Sequence, residues 1–158
     1  MEALIALLVL VLFLHLCTGN SVFYNVRNVM RKHDCPDSPL KGKTILFLGS
    51  SVTSGYGSHG VSFVDYLAAF HHFQAVNESV PGTTLADCAA NSYVSRLNKI
   101  LNTYQTEKKP KPDIFVCQLS TNDITKSCPM GALTESIDRE DFDTKTTTGA
   151  IEYIIASV

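Results

Sequence analysis

A serine, a glycine and an asparagine stand in three short segments, each of which follows a predicted strand. Ser51 lies in the segment 49–55, Gly82 lies in 80–85 and Asn122 lies in 119–123. A serine hydroxyl that attacks a carbonyl carbon needs hydrogen-bond donors where the oxyanion develops. The backbone N–H groups of Ser51 and Gly82 and the side-chain amide of Asn122 are such donors, and Gly82 has no Cβ to obstruct close approach. The three residues indicate nucleophilic acyl chemistry, provided that the fold brings them to one site.

The strands before these segments must position them, and the first and third of these strands are continuous apolar runs. Strands are predicted at 44–48, 74–80 and 113–119, and helices at 61–73, 89–101 and 146–158, the last with Ile151, Ile154 and Ile155 facing inward. Strands that alternate with helices are typical of an α/β fold with a parallel sheet and helices on both faces. In such a sheet the segments that follow the strands emerge at one edge, where α/β proteins carry their sites.

The composition is that of a single globular domain. The chain has 158 residues, 45% of them hydrophobic and 18% charged. Its 13 basic and 15 acidic residues leave a net charge of −2. That balance gives no electrostatic reason to expect nucleic acid as a partner.

Five cysteines occur, at positions 17, 35, 88, 117 and 128. None belongs to a Cys-x-x-Cys pair or stands beside a histidine at metal-ligand spacing, so no zinc site is expected. The odd number argues against a disulfide framework, although a single bridge stays open. Cys117 follows an apolar run and is expected to be a buried thiol.

The N-terminus is interpreted as a hydrophobic leader at residues 1–21. Its predominantly apolar run over residues 3–17 is typical either of a secretory signal peptide or of a membrane anchor, and both alternatives stay open. Basic residues follow this run at Arg27, Arg31 and Lys32, and for an anchor they would keep the rest of the chain cytoplasmic. Residues 22–40 are predicted as an amphipathic helix and a proline-containing linker, so the compact domain is expected at 41–158.

Ser51, Gly82 and Asn122 belong to the motifs Gly-Ser-Ser-Val-Thr, Pro-Gly-Thr-Thr-Leu and Ser-Thr-Asn-Asp, each after a predicted strand. With these motifs, the chain from Lys41 to its C-terminus resembles the SGNH hydrolases, also called GDSL-type esterases and lipases. The resemblance implies a flavodoxin-like three-layer α/β/α fold and ester hydrolysis through a serine acyl intermediate. It implies Ser51 as the nucleophile, an oxyanion hole of Ser51, Gly82 and Asn122, and no metal or organic cofactor. The implied substrate is a small-molecule ester, including acetylated carbohydrate.

The sequence departs from this family pattern at three places. Ser50 stands where the first motif has Asp, and Ser120 stands where the third motif has Gly. The fourth motif, an Asp-x-x-His that supplies the general base, is absent from the 158 residues. We therefore expect a truncated member of the family, whose sheet ends early at an unprotected edge.

A serine hydroxyl is a poor nucleophile without a base, so the positions of the histidines matter. Four of the five are expected away from the site: His15 in the leader, His33 in the linker, and His71 and His72 at or near the surface at a helix end. His59 follows Ser51 in the chain and is the histidine expected near the site. A pocket-lining or solvent-exposed role is favoured for His59 over that of a base.

Other interpretations of the same residues are also open to test. One is a non-catalytic SGNH-like module that binds a ligand or partner and turns nothing over. The segment 49–57 lacks the Lys-Ser/Thr end of a P-loop and the Gly-x-Gly-x-x-Gly spacing of a dinucleotide fold, which disfavours a phosphate site. Asp123 is expected to be a helix N-cap, and Asp65 and Asp87 are expected to be solvated or capping. Asn77 begins an Asn-x-Ser glycosylation acceptor, but it falls in a predicted strand.

Overall fold

The structure is a computed structural model that describes residues 5–11 and 34–158. Predictions on residues 1–4 and 12–33, which include most of the leader and the amphipathic helix, lie outside the described residues. Residues 5–11 form a short helix with exposed side chains. Over the two described ranges, no helix has both the length and the hydropathy that a membrane crossing requires.

Three parallel strands form the sheet: β1 (Thr44–Gly49), β2 (Gln74–Ser79) and β3 (Ile114–Cys117). Their order is β2-β1-β3, with Gly49 opposite Ser79 and Leu48 opposite Cys117 at the carboxyl end. The central strand β1 is buried, and its continuous apolar run is typical of a strand that is covered on both faces. The predicted parallel sheet is confirmed. Among the described strands, β3 has a neighbour on one side only.

The helices described between residues 34 and 158 are α1 (Ser51–Ser54), α2 (Phe63–His71), α3 (Tyr93–Thr106), α4 (Asn122–Thr125) and α5 (Thr147–Ser157). The first three connect the strands, and α4 and α5 follow β3. Short 3-10 helices lie at Tyr56–Ser58 and Arg139–Asp141. The three predicted helices are present, but α3 begins at Tyr93 and not at Ala89. The reason is a cap, because the Ser92 hydroxyl accepts the N–H of Ser95. Asn91, just before the cap, has a left-handed φ of 60°, which a helix cannot contain.

Each face of the sheet is covered by its own layer of helices. On one face, α3 and α5 enclose a core that includes Leu48, Tyr93 and Leu97. On the other face, α2 covers Phe47 and Phe73, whose ring centroids lie 6.0 Å apart. The fold is therefore the expected flavodoxin-like three-layer α/β/α arrangement.

One predicted core residue of α5 is not in the core. Ile154 is buried and Ile151 is half-buried, as expected, but Ile155 is 70% exposed. Successive residues of a helix point about 100° apart, so the face that buries Ala150 and Ile154 turns Ile155 away from the sheet. The prediction for Ile155 was therefore wrong.

The predicted linker has no helix or strand from Asp34 to Leu40, and it lies against the end of α2. The N–H of Cys35 donates to the carbonyl oxygen of Phe70 at 3.0 Å. His71 hydrogen-bonds the Ser38 hydroxyl at 2.9 Å, and His72 contacts the Asp34 carboxylate at 2.5 Å. Since these residues directly precede β1 and β2, both histidines lie at the amino edge of the sheet.

Candidate active site

Ser51 is the first residue of α1, directly after the buried end of β1. The turn between them is tight, because a Cβ on Gly49 would lie 2.1 Å from Thr53 Oγ1. Thr53 is fully buried, and its hydroxyl donates to Gln118 Oε1 at 3.1 Å. Asn77 Nδ2 donates to the Thr53 carbonyl oxygen at 3.0 Å. These bonds hold α1 against the ends of β2 and β3, so Ser51 stands on a rigid turn at the carboxyl edge.

Ser51 itself is half-exposed, and its reactive groups have no partner within the described structure. Its N–H is one of the first-turn donors that a helix leaves unpaired. Neither that N–H nor the Ser51 hydroxyl makes a hydrogen bond to any residue between 34 and 158. Both groups are therefore open to a ligand at the carboxyl edge of the sheet.

Gly82 lies in the turn that follows β2, and it has a left-handed φ of +73°. A Cβ at this position would meet no atom within 4 Å, so the conformation and not the packing requires glycine here. Lys126 Nζ donates to the Gly82 carbonyl oxygen at 2.6 Å. No acceptor for the Gly82 N–H is found in the described chain, so this donor is also open.

Asn122 begins α4, and its side chain holds the third polar segment against the second. Asn122 Nδ2 donates to the Thr83 carbonyl oxygen at 2.8 Å, and the Ser120 hydroxyl donates to the same oxygen at 2.9 Å. The Asn122 N–H donates to Ser120 Oγ at 3.1 Å. Ser120, which replaces the Gly of the family motif, thus helps to join the two segments. A primary amide has two N–H bonds, so one remains for a ligand.

The prediction that Asp123 caps a helix was wrong. Asp123 lies inside α4 and is 2% exposed. Its carboxylate accepts the N–H groups of Leu85 and Ala86 at 2.8 and 2.9 Å, and the Thr147 hydroxyl at 3.3 Å. Asp123 therefore has a structural role, in which it ties α4 to the segment after Gly82.

Asp65 and Asp87 were predicted to be solvated or capping, and both are exposed. Asp65 forms a capping box with Ser62 at the start of α2. The Asp87 carboxylate accepts the hydroxyl of Ser92, the residue that caps α3. Asn77 of the glycosylation acceptor lies within β2, where its Nδ2 is bonded to the Thr53 carbonyl.

Two residues that the sequence reasoning missed, Tyr93 and Arg96, lie beside the three segments. Arg96 Nη2 donates to the Gly49 carbonyl oxygen at 2.9 Å and to Thr83 Oγ1 at 3.1 Å. The Tyr93 hydroxyl donates to the Gln118 carbonyl oxygen at 3.0 Å. Burial raises the pKa of Tyr93 and lowers the pKa of Arg96. Their spacing of one helical turn on α3 was a signal that both face the sheet.

The structure thus joins the three predicted segments at the carboxyl edge of the sheet. The Val80 N–H donates to the Gly49 carbonyl oxygen at 3.1 Å, which links the first segment to the second. The Thr83 carbonyl links the second segment to the third through Ser120 and Asn122. Ser51, Gly82 and Asn122 accordingly belong to one connected surface.

No described histidine is hydrogen-bonded to Ser51. His59 is exposed and has a left-handed φ of 53° in the loop after α1. His71 and His72 lie at the opposite edge of the sheet, so neither can act on Ser51. His15 and His33 lie outside the described residues.

A cavity of 690 Å³ opens beside the amino end of β3, away from Ser51. Leu97, Tyr104 and Phe115 line it, together with the exposed Lys111. None of Ser51, Gly82 and Asn122 lines this cavity. In the described chain, no group of three or more His, Cys, Asp or Glu side chains is arranged to hold a metal ion.

One disulfide joins the segments near the site. Cys88 and Cys128 are bonded, with their Cα atoms 5.9 Å apart, so the bridge that the sequence left open is present. It connects the chain after Leu85 to the chain after α4. Cys35 and Cys117 are free. Cys117 is half-buried against the core, and burial raises the pKa of its thiol to about 11.

Comparison with known proteins assigns the family. The model of the GDSL-like Lipase/Acylhydrolase family matches residues 45–158, which is well over half of the chain and contains all three motifs. A search of curated proteins gave no match. The matched region coincides with the three-layer domain that carries Ser51, Gly82 and Asn122. This chain therefore belongs to the GDSL-like lipase/acylhydrolase family, whose general activity is hydrolysis of the esterase type.

Proposed function

We propose that this protein is a serine ester hydrolase in which Ser51 is the nucleophile. Family membership supports the esterase class. The observation that carries the assignment of Ser51 is its position at the start of α1, with its N–H and hydroxyl free of partners in the described chain. That position suits a nucleophile because the turn holds the side chain at the carboxyl edge of a parallel sheet.

In the proposed reaction, Ser51 Oγ attacks the carbonyl carbon of an ester, and a base takes the hydroxyl proton. The resulting tetrahedral intermediate collapses, the ester C–O bond breaks, and the alcohol leaves with a proton. Water then attacks acyl-Ser51 and releases a carboxylic acid and the free serine. The N–H groups of Ser51 and Gly82 and the second N–H bond of Asn122 Nδ2 would stabilise the oxyanion.

The substrate of this reaction is proposed to be a small acyl ester, which includes acetylated carbohydrate. The half-exposed position of Ser51 supports this choice, because an ester carried on a larger sugar can reach a side chain that is open to solvent. No metal or organic cofactor is needed for the steps above, since serine and amide groups supply the nucleophile and the oxyanion donors.

The second candidate function is a non-catalytic module that binds a ligand or partner at the same edge. One observation favours it: no described histidine is hydrogen-bonded to Ser51. A serine hydroxyl without a base is a weak nucleophile, so such a domain would hold an ester without cleaving it.

A serine-reactive fluorophosphonate probe separates the two functions. We expect the wild-type protein to be labelled and the Ser51→Ala variant to be unlabelled. Ser54→Ala is the matched control, because Ser54 lies in the same turn and donates its hydroxyl to the Ser51 carbonyl. Labelling of the control at a rate similar to wild type supports the esterase, whereas no labelling of folded wild-type protein supports the binding module.

We also propose that the run at residues 3–17 is a signal peptide that delivers the domain to an oxidising compartment. An anchor followed by Arg27, Arg31 and Lys32 would instead keep the domain in the cytoplasm. The Cys88–Cys128 bridge supports this location, because disulfides persist where the environment is oxidising. Expression with and without residues 1–21, followed by membrane fractionation and thiol alkylation, tests the proposal. A bridge that is reduced in the native cells would contradict it.

A further inference from the structure

Arg96 on α3 makes an unusual set of contacts for an arginine. Nη2 donates to the Gly49 carbonyl oxygen and to Thr83 Oγ1, Nη1 donates to the Glu78 carbonyl oxygen, and Nε donates to the Asn91 carbonyl oxygen. The guanidinium has five N–H donors in a fixed plane, so these bonds set the relative positions of their acceptors. No carboxylate of the described chain forms a salt bridge with Arg96.

The acceptors of Arg96 are the ends of the elements that carry the candidate site. Gly49 ends β1 two residues before Ser51, and Thr83 directly follows Gly82. The Glu78 carbonyl lies near the carboxyl end of β2. One side chain therefore connects the base of the nucleophile turn to the turn that presents the Gly82 N–H.

The position of the guanidinium is itself held from α3. Arg96 Cζ lies 4.9 Å from the centroid of the Tyr93 ring, one helical turn away. The Tyr93 hydroxyl is bonded to the Gln118 carbonyl, just before the third segment. A partly buried cation that lies over an aromatic ring and has several acceptors has little freedom to move.

We propose that Arg96 is a positioning residue, which holds the Ser51 turn and the Gly82 turn in the relative geometry that acyl transfer needs. This role rests on the proposed function of Ser51. Displacement of reacting groups by about 1 Å can lower a reaction rate by about 10²-fold. Loss of the Arg96 hydrogen bonds should therefore lower the reactivity of Ser51 more than it weakens ligand binding. Lysine carries the same charge but lacks the planar fork, so it should not restore the geometry.

The test compares the rate constant for fluorophosphonate labelling of Ser51 in wild type, Arg96→Met and Arg96→Lys. We expect both variants to react about 10- to 100-fold more slowly. Arg139→Met is the matched control, because Arg139 also lies over a tyrosine ring, 5.3 Å from Tyr153, but it lines the cavity beside the amino end of β3 and not the carboxyl edge. The control should stay within about two-fold of wild type, the scatter expected for a change away from the reacting groups.

Amide hydrogen exchange makes the test independent of Ser51 chemistry. Arg96→Met should speed exchange of Val80, whose N–H donates to Gly49, and of Ser54 in α1, and it should leave α2 unchanged. If wild type is not labelled, the esterase proposal fails, and the exchange result alone decides whether Arg96 positions the turns. If Arg96→Met does not fold, Arg96→Lys takes its place. Unchanged exchange, or labelling of the folded variants at the wild-type rate, overturns the proposal.

Discussion

Gly82 and Gly42 have nearly the same backbone conformation, with φ of +73° and +74°, but they lie at opposite edges of the sheet. A Cβ at either position would meet no atom within 4 Å. Substitution of Gly42 therefore measures the cost in stability of a side chain on a left-handed backbone, and substitution of Gly82 measures the same cost together with any effect on the carboxyl edge. Only Gly82 has an N–H that is proposed to bind an oxyanion.

We expect Gly82→Ala and Gly42→Ala each to lower the free energy of unfolding by about 1 kcal/mol, because an L side chain is strained at these φ values. Urea unfolding measures that loss. In Gly82→Ala the strained turn should relax and move the N–H of residue 82 away from the oxyanion. Fluorophosphonate labelling should therefore be slower by about 10-fold or more in this variant, and not in Gly42→Ala. Equal labelling of the two folded variants would remove Gly82 from the oxyanion hole.

At the scale of single residues, the location of the candidate site residues was easier to predict than the hydrogen bonds of their neighbours. Ser51, Gly82 and Asn122 each follow a predicted strand, so their place at the carboxyl edge of a parallel sheet could be predicted. The role of Asp123 could not, because its acceptor bonds reach Leu85 and Ala86, which are distant in the sequence. A capping residue and a buried acceptor look alike when only the local sequence is considered.

Among the elements, the turn from β1 to α1 determines where Ser51 stands. Gly49 packs closely against the Thr53 side chain, and the Thr53 hydroxyl is hydrogen-bonded to Gln118, directly after β3. The strands β1 and β3 were predicted well because each is a continuous run of mostly apolar residues. Strand β2 is mostly polar, and the turn at Pro81-Gly82 marks its end. The predicted start of α3 was too early because Ala89 and Ala90 favour helix. The Ser92 cap instead fixes the first helical residue at Tyr93.

Gly49→Ala should destabilise the protein by about 1–3 kcal/mol, since its Cβ would overlap the buried Thr53 side chain. Gly57→Ala is the control, because a Cβ there meets no atom within 4 Å. Thermal unfolding of both variants measures the difference. Equal melting temperatures would show that the turn is looser than described.

The attachment of α4 to the second segment predicts a further loss of stability. Asp123→Asn places an N–H₂ group or a weaker acceptor against the Leu85 and Ala86 N–H groups, so we expect a loss of about 1–3 kcal/mol in urea unfolding. Asp138→Asn, on an exposed side chain, should change stability little. A loss in Asp123→Asn no larger than in the control would contradict the structural role of Asp123.

At the scale of the whole molecule, tertiary contacts account for what the sequence left open. The three-layer fold followed from the order of strands and helices, and the family comparison agrees with it. Pairing of Cys88 with Cys128 and the contacts of Arg96 could not be predicted, because they join residues that only the folded chain brings together.

The Cys88–Cys128 bridge closes a loop of about 40 residues between the second and third segments. Cys88→Ser should therefore lower the free energy of unfolding by about 2–4 kcal/mol. Cys35→Ser is the control, because Cys35 is free and its structural contact is through the backbone. Identical urea midpoints for the two variants, or two additional free thiols in the native wild type, would count against the bridge.

Ser51, and not its neighbour Ser50, is the proposed nucleophile of this GDSL-type ester hydrolase. The most direct measurement is tandem mass spectrometry of the peptide around residues 49–55 after reaction with a fluorophosphonate. We expect one phosphonyl group, on Ser51, and none in the Ser51→Ala variant. A phosphonyl group on Ser50 or on a serine outside this turn, or no group on the folded protein, would contradict it.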